Sequence, residues 1–225
     1  MGAFQVLLLV HLLGDFPCQP YRLFLWKINS IRGLVAHVAI QGALALPVMV
    51  WLIPAWGWWW AVLVASHFLI DWAKVRFTRG GWIELVAFFV DQAVHVLILW
   101  AIVRLSGADA AFSGKAALTL RVAIAFIMAS YVGTVVVFLV GAMLAAPGRQ
   151  FAPIPTGERR RGMVERTAIL IGGLVAASLA LPPILWIVVS ALYLAASVMR
   201  QRPGWLKTTV SIAWALVVTL ILVSV

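Results

Sequence analysis

The sequence predicts an all-α protein, a polytopic transmembrane bundle of about eight helices with both termini on the non-cytoplasmic side. Three observations carry this expectation. Of the 225 residues, 64% are hydrophobic and only 11% charged, where a soluble domain carries about 25% charged residues. The apolar residues fall into long runs, and a spanning helix needs roughly 20 such residues. The basic residues also alternate along the chain. With eight segments, the loops after the odd-numbered ones hold all the lysines and arginines except Arg104, Lys115 and Arg121, that is fourteen of seventeen, which places those loops in the cytoplasm.

The first segment, from Gly2, meets Pro17 and Pro20 and is short or broken there. The second covers 31–53, with a kink expected at Pro47. Pro54 and Gly57 mark a tight turn, and the cluster Trp56, Trp58, Trp59 and Trp60 opens the third segment, up to Val75, at a water–lipid boundary. The fourth covers 82–103 and the fifth 116–144, long enough to tilt or to extend past the bilayer. PGRQFAPIPTGERRRG, from Pro147 to Gly162, reads as the longest loop. Segments over 167–181 and 184–199 flank Pro182-Pro183, and the last covers 205–225. Merging the pair around the prolines into one span would put the basic stretch Arg200–Lys207 outside, so the eight-segment count and the orientation support each other. The chain is thus expected to be one membrane domain over 1–225, with site-bearing helices in 1–105, supporting helices in 116–225 and a basic cytoplasmic loop over 147–166.

No basic segment precedes the first apolar run, so no cleavable signal peptide is expected. The single cysteine, Cys18, excludes an intramolecular disulfide and a cysteine-cluster metal site. A formal net charge of +10 would suggest nucleic acid in a soluble protein. Here the charges sit in short loops and match anionic lipid headgroups instead. Membrane lipids are the expected partners, nucleic acid is not, and homo- or hetero-oligomers stay open.

Three of the seven acids lie inside apolar segments, each with a histidine four residues away: His11 with Asp15, His67 with Asp71, and Asp91 with His95. Positions i and i+4 share a helix face, so each of three helices projects an imidazole and a carboxylate to one side. The fourth histidine, His37, lies just over a turn beyond Arg32. All four histidines are expected in the cytoplasmic half of the bilayer. Ionisable groups at such depth are costly and mark functional sites by default. Three nitrogens and three carboxylates form a ligand set for zinc, manganese or iron. The metal ligands expected are therefore His11, Asp15, His67, Asp71, Asp91 and His95, against a simpler reading in which the pairs only glue helices together.

Around this set, His37 is an acid–base candidate. Lys74, three residues after Asp71, would bind a phosphate or neutralise Asp71, the simpler alternative being a snorkelling anchor. Gln19 and Gln92 would orient the ligands by hydrogen bonds. Arg159, Arg160, Arg161 and Arg166 would grip an anionic headgroup, or serve only to set topology.

HLLGDFPCQP (His11 to Pro20) with a following Trp26-Lys27, SHFLIDWAK (Ser66 to Lys74) and DQAVH (Asp91 to His95) resemble the bacterial membrane-protein family of domain of unknown function 3307 (DUF3307). The later RRGMVERTAIL resembles that family's Gly-rich, Glu-Arg-containing segment less closely. The resemblance implies a multi-pass protein of the bacterial inner membrane whose three motifs belong together, and no particular activity. Three functions are open: a metal-dependent hydrolase or transferase acting on a lipid or isoprenoid phosphate from the cytoplasmic leaflet; a proton- or cation-conducting transporter using the same cluster; and a non-catalytic membrane subunit.

Overall fold

The computed structural model describes residues 2–78, 82–144, 156–179, 187–188, 190–191 and 205–224. Among them every regular element is helical: α1 (Gly2–Asp15), α2 (Tyr21–Asn29), α3 (Ile31–Leu52), α4 (Trp56–Phe77), α5 (Trp82–Leu105), α6 (Gly114–Ile127), a π turn (Met128–Val132), α7 (Gly133–Leu144), α8 (Thr156–Ser178) and α9 (Trp205–Ser224). Four stretches are long and apolar enough to cross a membrane: α3, α5, the continuous run Gly114–Met143, and α9. The expected segment over 184–199 lies largely outside the described residues. The chain divides into two compact units, Met1–Ile124 and Ala125–Val225.

In the first unit α1 ends where Pro17 and Pro20 remove two backbone donors. The stretch after it, expected to be only a loop, contains the nine-residue helix α2, which starts directly after Pro20. Its mixture of aromatic and basic residues has too little apolar length to read as a span. Ser30 then adopts an extended conformation, and its hydroxyl accepts a hydrogen bond from Arg32 N (3.2 Å), capping α3. α3 continues through Pro47 to Leu52. Ala55, with φ of 51°, makes the tight turn into α4.

α3 packs against α1, α2 and α4, and α5 packs against α4 and α1, so α1, α3, α4 and α5 close a ring. One end of the ring's interior is apolar, filled by Ala3, Leu7, Ala45, Met49, Leu63, Leu99 and Ile102. The outside is also apolar: Trp51, Trp58 and Leu97 are 80%, 69% and 61% exposed. Exposed apolar side chains around buried ionisable ones are what a lipid solvent requires. Two glycines allow the close approaches that build the ring's polar end. A Cβ on Gly33 would lie 2.3 Å from the carbonyl of Trp26, so α2 lies directly on the first turn of α3. A Cβ on Gly14 would occupy the position of the Gln41 side-chain oxygen.

In the second unit, α9 packs against α8, α7 and the π turn. Ala125, Ala129, Leu170 and Val218 form one apolar cluster there, and Ile169, Ile212 and Ala215 another. α8 begins at Thr156, eleven residues before the segment expected from Thr167, so the part of the expected loop from Thr156 to Gly162 is helical. Glu158 in its first turn suits the positive end of the helix dipole. The rest of that loop, 147–155, lies outside the described residues.

Candidate metal centre

The polar end of the first unit holds a single buried cluster. α1 contributes His11 and Asp15, α3 His37 and Gln41, α4 His67 and Asp71, and α5 Asp91 and His95; the exposures of these residues run from 0% at His37 to 8% at Asp15. The three i, i+4 pairs therefore do converge. They arrive there because α1 and α4 reach this end with their C-terminal halves, α3 with its N-terminal half and α5 with its middle turns.

The Asp15 and Asp71 carboxylates face each other across two imidazoles. His37 Nε2 lies 3.4 Å from Asp15 Oδ1 and 3.3 Å from Asp71 Oδ2. His67 Nε2 lies 3.4 Å and 3.3 Å from the same two oxygens, and 3.2 Å from His37 Nε2. His11 Nε2 is 3.6 Å from Asp15 Oδ2, and the His95 ring lies 4.8 Å from that of His11 and 4.4 Å from that of His67, centroid to centroid. A cavity of about 10 Å³ touches His11, Gln41, Ser66, His67 and His95. That is about the space of one water-sized sphere.

Three overlapping groups bring their ligand atoms within 4.8 Å of one another: His11, Asp15 and His95; Asp15, His37 and His67; and His67, Asp71 and His95. These buried groups can hold a metal ion. Metal bonds of about 2.1 Å place tetrahedral ligand atoms about 3.4 Å apart, close to the His–Asp separations here. Ligand-type atoms are also left over. His11 Nε2, His95 Nε2 and Asp15 Oδ1 are buried without a hydrogen bond among the described residues. Such orphaned groups are costly unless something completes them.

The charges narrow what that could be. Lys27 Nζ lies 2.8 Å from Asp71 Oδ2, and Lys74 Nζ lies 2.7 Å from Asp91 Oδ2. Asp15 has only imidazoles at ion-pair distance among the described residues, with a hydrogen bond from Gln92 Nε2 (3.2 Å). One buried carboxylate thus lacks a lysine or arginine, and the completing group must be a cation or a proton.

Several expected roles change. Lys74 pairs with Asp91 on the next helix and not with Asp71, because it points across to α5 over the Phe88 ring. Asp71 takes Lys27 instead. Asp91 belongs to none of the three groups; Lys74 and Gln92 Nε2 (3.1 Å) hold one of its oxygens, and His95 Nδ1 turns to the Asp91 backbone carbonyl (2.9 Å). His37, expected as an acid–base candidate, belongs to one of the three groups that could hold a metal ion. Gln19 accepts a hydrogen bond from Lys27 Nζ (3.2 Å), and Gln92 bridges Asp15 and Asp91.

Two members of the cluster were not expected. Lys27 is buried, although it reads as an ordinary topology signal. Gln41 Nε2 lies 3.3 Å from His11 Nδ1 and fixes that ring. The spacing of Gln41 four residues after His37 was the available signal.

Arg159, Arg160 and Arg161 are exposed on the first turns of α8, in the second unit. Arg166 is not with them. It is 2% exposed and turned inward, where it donates to Ser211 Oγ (2.7 Å), to the Ser130 carbonyl (3.0 Å) and to Thr134 Oγ1. It is therefore not available to a headgroup at the surface. The Ser130 carbonyl lies in the π turn, where the wider backbone winding loosens the usual ladder.

No curated protein and no solved structure matches the chain. A family profile described as "Protein of unknown function (DUF3307)" does, over residues 3–138. That range contains all four histidines and the three buried aspartates, and it ends before RRGMVERTAIL. With the match spanning more than half of the sequence, the chain belongs to the DUF3307 family.

Proposed function

We propose that this protein is a metal-dependent intramembrane enzyme, a hydrolase or transferase that acts on a lipid or isoprenoid phosphate from the cytoplasmic leaflet. The observation that carries the reading is the set of three buried His/Asp groups whose ligand-type atoms lie within 4.8 Å of one another, with His11 Nε2, His95 Nε2 and Asp15 Oδ1 left without a hydrogen bond. His11, Asp15, His37, His67, Asp71 and His95 would hold one or two divalent ions: zinc, manganese or iron. A bound ion of this kind polarises a phosphoryl oxygen and lowers the pKa of its water.

The chain's own residues supply the rest. Gln41 and Gln92 hold His11 and Asp15 in orientation. Lys27 balances Asp71 and Lys74 balances Asp91, which leaves Asp15 to attract the cation. Lys27, Arg32, Lys74 and Arg76 lie at the cluster's end of the unit, and by the positive-inside rule that end faces the cytoplasm. A conducting path is the weaker reading, because Leu7, Met49, Leu99 and Ile102 fill the ring beyond the cluster. A purely structural cluster is weaker as well, because helix glue would not leave His11 Nε2, His95 Nε2 and Asp15 Oδ1 without hydrogen bonds.

Elemental analysis of the purified protein tests the reading. One or two equivalents of a transition metal are expected, with a lower melting temperature in chelator and phosphate release from a phosphorylated lipid that stops when the metal is stripped. Protein without stoichiometric metal, equally stable in chelator, would refute it.

A further inference from the structure

A groove of about 340 Å³ opens beside the cluster, between the end of α2, the first turn of α3 and the last turns of α4. Its lining is amphiphilic. Lys27, Asn29, Ser30 and Arg76 supply cations and hydrogen-bonding groups, and Ile31, Trp72 and Val75 supply an apolar wall. Arg76 is exposed and makes no ion pair among the described residues. Lys27 joins the groove to the cluster, for the residue lines the groove and its Nζ lies 2.8 Å from Asp71 Oδ2.

We infer that this groove is the subsite for the phosphate headgroup of a membrane amphiphile, with Arg76 on the phosphate, the buried charge of Lys27 behind it, and Ile31, Trp72 and Val75 against the first methylenes of the chain. An arginine presents a planar fork of donors suited to phosphate oxygens, and a lysine adds a point charge. A free phosphate ion would use the cations and leave the apolar wall idle, whereas a lipid headgroup uses both. The role of the subsite, delivery of a substrate to Asp71 and its neighbours, rests on the enzymatic reading above; the binding itself does not.

Native mass spectrometry of the full chain in detergent tests the assignment, with dioleoyl phosphatidic acid, dioleoylglycerol and inorganic phosphate as probes. Phosphatidic acid is expected to bind at least tenfold more tightly than dioleoylglycerol and to resist displacement by an equal concentration of inorganic phosphate. Arg76→Glu reverses the charge at an exposed position, and Val75→Trp fills the groove without touching charge. Each is expected to weaken phosphatidic acid binding tenfold or more with the metal content unchanged. Equal binding of the two lipids, or unchanged binding in both variants, overturns the assignment, and displacement by equimolar inorganic phosphate overturns its lipid half. If the protein holds no metal and the lipid results still follow this pattern, the subsite stands and the enzymatic reading alone fails.

Discussion

The two units of this protein both bury ionisable groups in apolar surroundings, and they neutralise them by opposite means. In the second unit, the Arg166 guanidinium has no carboxylate at ion-pair distance among the described residues. Glu158 is spent on Lys207 at the surface, and Glu165, adjacent in sequence, faces a different side of the helix. Neutral acceptors do the work instead: two hydroxyls and a carbonyl from the π turn, which satisfy all the guanidinium nitrogens except Nε. In the first unit the imbalance runs the other way, with acceptors in excess and lysines accounting for only two of three carboxylates. A buried cation can be completed by the protein's own dipoles. A surplus of imidazole nitrogens and carboxylate oxygens calls for a donor or a cation: a metal ion, a proton or a water. The first arrangement is a packing device, and the second is a set of groups that could hold a metal ion.

Substitutions can break that contrast. The largest effect is expected from His67→Ala, because His67 belongs to two of the three ligand groups. Metal affinity should fall a thousandfold or more, equivalent to about 4 kcal/mol, as read by competition with a chromogenic chelator. Next comes Arg166→Ala, which leaves a cavity and strips donors from Ser211, Thr134 and Ser130. A loss of about 3 kcal/mol in unfolding free energy is expected, with metal content unchanged; loss of metal here would erase the distinction between the two units.

Gly33→Ala should cost about 2 kcal/mol, because the backbone of α2 must shift. It should also weaken the hold of Lys27 on Asp71, visible as altered metal affinity. Gln92→Ala removes a donor from Asp15 and Asp91 and should lower metal affinity about tenfold without unfolding the protein. The smallest effect belongs to Lys207→Ala. Its pair with Glu158 is half exposed on both sides, and less than about 0.5 kcal/mol should be lost in thermal unfolding.

What the sequence made legible follows from separation along the chain. Each i, i+4 pair is a local fact of helix geometry, so the three His–Asp pairs could be read directly. The all-helical class was legible for the same reason, as long apolar runs admit little else in lipid. Which pair meets which is not local. Gln41 reaches His11, and His37 reaches His67, each across thirty residues. Lys74 passes over its near neighbour Asp71 for Asp91, seventeen residues on. Those choices are made by the packing of α1, α3, α4 and α5. α2 escaped notice because nine residues without a long apolar face look like a connection. Its position depends on Gly33, whose missing side chain matters only once the two helices touch.

The apolar filling of the ring beyond the cluster, from Leu7 to Ile102, has one more consequence. It closes one end of the ring with apolar side chains. Under the proposed function, substrate and product would exchange with the same side of the membrane. Turnover in sealed vesicles should therefore be indifferent to an imposed voltage.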